Sequence, residues 1–139
     1  MDNLRQLEEH IKQTISNGEE HMKQVQSLLQ KRRSSPIKDV PSVVQRIDDV
    51  ITSLIAAHTK VLTFFQIITR ETQDQENKQE KVVQQRYLQN LLSQQISNTY
   101  RRKAIILSML VSNKTSSLDL SDIFSTLRKA QKYNPSDPE

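Results

Sequence analysis

From Ser42 to Asn113 the chain contains no Gly, no Pro and no Cys, and this one uninterrupted stretch constrains the fold more than any other feature. Tight turns draw on Gly and Pro. A segment of this length without either, filled with Val, Ile, Leu, Gln, Lys and Arg, is built from helix. Within it Ile47, Ile51, Leu54, His58, Val61, Phe65 and Ile68 fall on alternating steps of four and three, the seam spacing of a coiled coil or bundle helix. Such a seam exists to bury against another helix.

The seam stops at Arg70. Thirteen residues from Thr69 to Lys81 carry no apolar side chain, and when apolar residues return, at Val82, Val83, Tyr87, Leu88, Leu91, Leu92, Ile96 and beyond, they are out of phase with the first set. A phase change across a polar interval predicts that the chain reverses, with the turn near Asp74 to Asn77; one continuous helix over 42–112 is the alternative, since no Gly or Pro marks the turn.

The flanking segments are also helical in pattern. Leu4, Leu7, Ile11, Ile15, Met22, Val25 and Leu29 predict a first amphipathic helix within residues 1–33, from about Asn3 to Arg32, frayed or kinked near Asn17 and Gly18 because Gly costs about 1 kcal/mol in a helix interior. Residues 34–41, with Pro36 and Pro41, read as a linker, and Asp39 or Ser42 is placed to cap the helix that follows. Leu118, Leu120, Ile123, Phe124, Leu127 and Ala130 predict a short amphipathic helix within 113–133, capped by Ser117 or Asp119, and 134–139 reads as a disordered tail. The expected fold class is therefore all-α: an elongated helical hairpin or coiled-coil bundle with an N-terminal helix, a long central hairpin or single helix, and a short C-terminal helix.

At 35% hydrophobic and 4% aromatic over 139 residues, the chain is lean for a self-sufficient core, and other helical chains are expected to complete it. No Cys is present, so disulfides, thiolate nucleophiles and Cys-based metal sites are excluded, and a reducing, intracellular compartment fits best. The N-terminal decapeptide lacks the apolar core of a signal peptide, and the longest apolar run, Ala104 to Val111 interrupted by Ser108, is far short of the roughly 20 residues of a membrane span. No membrane span is expected, and Asn113-Lys114-Thr115 is then a chance sequon.

Elongated helices with few turns make few pockets, and the residues for catalysis are sparse. His10, His21 and His58 are not spaced to share a metal, and a single Gly precludes a phosphate loop. His58, inside the seam, reads as a polar residue that fixes register, as often seen at such positions. The acidic pairs Glu8-Glu9, Glu19-Glu20 and Asp48-Asp49 diverge by about 100° on a helix and read as solvated faces. No catalytic residue, cofactor or metal is expected, and the chain is not expected to be an enzyme.

Expected partner-contact residues are Ile47, Ile51, Leu54, Val61, Phe64, Phe65 and Ile68 in the first long helix and Leu88, Leu92, Arg101, Arg102 and Lys103 in the second. Residues 82–114 carry five basic groups and no acid. A solvent-exposed helix usually mixes both signs; this one fills its polar positions with Gln84, Gln85, Gln89, Asn90, Gln94, Gln95, Asn98 and Thr99, neutral groups that are cheaper to bury than charges. That predicts a helix sandwiched between its own chain and a partner presenting acids near Arg101-Lys103. Nucleic-acid binding is the competing use of the same charges, weakened by their small number and the scarcity of aromatics. Ser35-Pro36-Ile37-Lys38 matches the pattern of proline-directed cyclin-dependent kinases beside Lys31-Arg32-Arg33, making Ser35 a phosphorylation candidate and tipping the expected location to the nucleus over the cytoplasm. The function expected is a non-enzymatic helical subunit of a multi-subunit intracellular complex, of transcription-coactivator or kinetochore type. A basic nucleic-acid-binding protein and a vesicle-tethering or trafficking adaptor are the alternatives. Partners are expected to be other helical subunits, in a hetero-oligomer in preference to a homo-oligomer.

Overall fold

The computed structural model describes residues 2–31, 40–71, 75–111 and 120–133. These form four helices, α1 (Asp2–Lys31), α2 (Val40–Glu71), α3 (Gln75–Val111) and α4 (Leu120–Lys132), and the fold is all-α. α2 is the centre of the arrangement, packed against α1 on one side and α3 on the other, while α1 meets α3 only lightly and α4 lies on α3.

The chain reverses at each connection. Arg46 donates from Nη1 to Gln24 Oε1 at 3.1 Å, and Leu7 and His10 share a groove with Lys60 and Phe64, so α1 and α2 run antiparallel. Lys103 on α3 reaches Asp48 on α2 at 2.6 Å, and Ser93 meets His58 at 3.3 Å. That register makes α2 and α3 an antiparallel hairpin, not a rod. Its turn lies earlier than the sequence suggests: Gln75, Glu76 and Asn77 are already helical, and residues 72–74 lie outside the described residues. The polar interval is mostly helix ends, and its described residues are exposed or half-buried, none of them in the core.

Ile47, Ile51, Leu54, Val61 and Phe65 are buried from α2, Leu7, Ile11, Met22 and Val25 from α1, and Leu88, Leu92, Ile96, Tyr100 and Ile106 from α3, in one continuous cluster. The chain thus supplies its own core for α1 to α3. The contact residues expected to meet a partner through Ile47, Ile51, Leu54, Val61, Phe65, Leu88 and Leu92 are spent inside the chain, because its own hairpin offers the nearest matching seam.

α1 is also unbroken at Gly18. There Gly18 is buried, and a Cβ on it would stand 3.1 Å from Val50 Cγ1; the residue is small because α2 passes close by. Gly18 therefore marks a close helix crossing without fraying, in which the packing gained offsets the poor helix propensity of Gly.

By length and composition α2 also qualifies to cross a membrane, with a window of mean hydropathy 1.4. Its seam, however, is buried within the bundle, and its exposed positions are mostly polar, among them Gln45, Arg46, Asp49, Thr52, Ser53, Thr59, Lys60, Thr63 and Gln66, with Ile67 the large apolar exception. Thr59 and Thr63 hydroxyls donate to the carbonyls of Ile55 and Thr59. That pattern is a bundle helix with a polar outer face.

Candidate interaction surface

The groups with chemical potential gather at the α2–α3 interface. His58 Nε2 and Ser93 Oγ are 3.3 Å apart, the Tyr133 ring stands edge-on to His58 at 6.5 Å between centroids, and Tyr133 stacks on Tyr100 at 6.1 Å. Burial holds the His58 imidazole below its ordinary pKa and therefore neutral at pH 7. Burial first, then the neighbouring Tyr133 and Asp48, pushes the Tyr100 phenol up. A Ser–His pair acts as a nucleophile only with a base near pH 7, an oriented ring and room for substrate. The second face of His58 is filled by an aromatic edge, and the grooves described lie elsewhere: one of about 210 Å³ beside Gly18, lined by Thr14, Asn17, His21, Asp49 and Ser53, and one by His10 and Phe64. No group of three metal-ligating side chains occurs among the described residues. The His58 cluster is a polar and aromatic clasp that joins α2, α3 and the end of α4.

The expected contact residues fall into three sets. The seven apolar residues already placed in the core are covered by the chain itself. Phe64 and Ile68 are half-buried at the margin of α2, with Phe64 edge-on to Phe65 at 5.2 Å. Of the basic triplet, Arg101 is exposed, Arg102 half-buried, and Lys103 turned inward to Asp48. The carboxylate near Lys103 therefore belongs to this chain. Ser35 lies outside the described residues, as do the capping candidates Asp39, Ser117 and Asp119.

Which side of α4 docks is decided by small residues. Thr126 and Ala130 are its buried positions, and Ser97 Oγ on α3 donates to the Ala130 carbonyl at 2.7 Å. The Thr126 hydroxyl is satisfied by the Asp122 carbonyl at 2.7 Å, and Ala104 and Leu107 of α3 are buried. The consequence is that the more apolar side of α4 is left open: Leu120 is 61%, Phe124 56% and Leu127 43% exposed. On α3, Val83 and Tyr87 are each 67% and Ile105 62% exposed.

None of these six was singled out as a contact residue from the sequence. The available signal was the spread of apolar residues around α3. Leu88, Leu92 and Ile96 mark one side while Val83, Tyr87 and Ile105 mark another, and a helix apolar on two sides has two neighbours to satisfy. Exposed apolar side chains in a row are what interaction surfaces are made of. No protein-family model, curated protein or solved structure matches the chain.

Proposed function

We propose that the protein is a non-enzymatic helical scaffold subunit of a multi-subunit intracellular assembly, of transcription-coactivator or kinetochore type and nuclear. The observation that carries this reading is the outward apolar side of α4, Leu120, Phe124 and Leu127, on a chain whose other helices bury their own seams. A helix docked through Thr126 and Ala130 while three large apolar groups face water is an unfinished interface. The absence of Cys supports a reducing compartment, and the basic triplet Lys31-Arg32-Arg33 beside Ser35-Pro36 supports the nucleus and control by phosphorylation.

The nucleic-acid reading is weaker, since the basic run does not act as one patch. Lys103 is paired with Asp48 and Arg102 is half-buried, so Arg101 is the exposed member of the triplet. The test is the size at which the native protein elutes from cell extract, followed by identification of what co-elutes. Elution with other helical proteins well above its own 16.2 kDa is the expected result; elution at its own mass refutes the proposal.

A further inference from the structure

Two open surfaces on different helices are one surface. At about 100° per residue, Val83, Tyr87, Asn90, Gln94, Asn98, Arg101 and Ile105 share roughly 80° of α3, and all seven are exposed. This stripe lies about 180° around the helix from Lys103, which reaches α2. On α4, Leu120, Phe124 and Leu127 share roughly 60°, about 100° from the docked side of Thr126 and Ala130. The sense of that rotation is given by Tyr133, whose ring meets His58: the Tyr133 flank of α4 faces α2, and the Leu120–Phe124–Leu127 side is the other flank. Ser97 to Ala130 sets the register, and eight residues between Val111 and Leu120 suffice only for α4 to return antiparallel along the C-terminal half of α3. The open stripe of α3 and the open side of α4 therefore point the same way and meet along the α3–α4 groove.

We propose that this combined face is the docking site for an amphipathic helix with acidic flanks from another protein. The proposal rests on the scaffold reading and names the surface and the chemistry of the partner. Apolar anchors stand at both ends of the stripe, Val83 and Tyr87 at one and Ile105, Phe124 and Leu127 at the other. They are about 22 residues apart on α3, or roughly 33 Å, the length of a six-turn helix. Between them Asn90, Gln94 and Asn98 offer donors and acceptors that cost little to cover.

From Val83 to Ile105 the charge on this face has one sign, and the exposed carboxylates of Glu76 and Glu80 continue its line only beyond the Val83 end, away from α4. Arg101 lies on the stripe and Arg128 is exposed beside Leu127, α3 holds no acid from Val82 onward, and the acid of α4, Asp122, lies on the far side from Leu120 and Phe124. A second copy with its two-fold axis near Arg101 sets Arg101 and Arg128 against their own counterparts, and one with the axis at the middle of the stripe sets Arg101 against Tyr87 and Asn90, in neither case directly against a carboxylate. A partner helix with apolar residues at i, i+3, i+4 and i+7 and Glu or Asp on its flanks satisfies both demands.

The test uses the full chain in cells that express it, with the photoreactive amino acid benzoylphenylalanine replacing Phe124 or Val83 one at a time, and Thr59 on the polar outer face of α2 as control. Sequencing of the crosslinked peptides is expected to return the same protein from Phe124 and Val83 and nothing from Thr59, with the captured segment an acidic amphipathic helix. Arg101→Glu is expected to reduce capture at least fivefold, and Ile105→Ser likewise, with unchanged far-ultraviolet circular dichroism. Capture of this chain itself, of lipid or of nucleic acid, of a segment without carboxylates, or of nothing, overturns the proposal. If nothing is captured while the chain still elutes with other proteins, this face is wrong and the scaffold reading stands; elution at its own mass with no capture removes both.

Discussion

Gly18, His58 and Ser97 show three different ways in which one side chain controls the packing of these helices. At Gly18 a new Cβ meets Val50 Cγ1 at 3.1 Å, so two effects compete: Ala gains about 1 kcal/mol of helix propensity, and Val50, a β-branched side chain with little rotamer freedom in a helix, must give way. Gly18→Ala should fall within about 1 kcal/mol of the parent, whereas Gly18→Leu should cost about 1–3 kcal/mol by forcing α1 from α2. Chemical denaturation measures both, and adding Val50→Ala should recover part of the loss in the Leu variant and so show the coupling. His58 sets a pH dependence with a definite sign. Its folded pKa is depressed by burial, so as pH falls below about 6.5 the unfolded chain takes up a proton that the folded chain refuses, and stability is lost down to the folded pKa. Urea midpoints between pH 7.5 and 5 should decline with acid in the parent and decline less in His58→Gln; parallel curves would show that His58 is not responsible.

At the scale of elements, α4 is the shortest helix, and α3 is the helix that holds it. α4 has 13 residues against 30 or more in the other three, and a helix that short is marginal without tertiary packing. Its described anchor bond is Ser97 to the Ala130 carbonyl, inside a buried contact. Ser97→Ala should cost about 1 kcal/mol and raise hydrogen exchange in α4 by roughly fivefold while leaving α1 unchanged. Uniform acceleration in all four helices would place Ser97 in the global core instead. The α2–α3 hairpin has its own test, in which spin labels on exposed Thr52 and Asn98 report a separation of a few nanometres. On one continuous helix the 46 intervening steps would separate them by about 69 Å.

For the whole molecule, the contrast between buried and open aromatics is the sharpest expectation. Phe65 is fully buried in the α1–α3 cluster, and Phe65→Ala should cost about 3–5 kcal/mol, a large share of the 5–15 kcal/mol that holds a typical domain folded. Phe124, more than half exposed, should tolerate Ser within about 0.5 kcal/mol in the isolated chain. Equal losses at the two positions would mean that α4 packs more deeply than its exposure indicates. Because α1, α2 and α3 share one apolar cluster to which Ala130 ties α4, the four helices are expected to unfold in a single transition.

The amino-acid sequence by itself determined that this chain is helical and where its long seam runs, and its phase break favoured a reversal before α3 over one continuous helix, a choice that the α2–α3 contacts made. These properties are local: propensity follows from the absence of Gly and Pro between Ser42 and Asn113, and seam phase from steps of three and four at about 100° per residue. Periodicity reports which side of a helix is apolar, but not what covers it. Only tertiary structure decided that the Ile47–Phe65 seam is closed by the chain's own α1 and α3, and that Lys103 finds its carboxylate on Asp48. It also decided that Gly18 marks a close crossing with α2. α4 is the clearest case. Its apolar residues predict one buried side, yet close approach at Ser97, Thr126 and Ala130 is available only to small side chains, so the bulky side that periodicity marks for burial was turned to the surface.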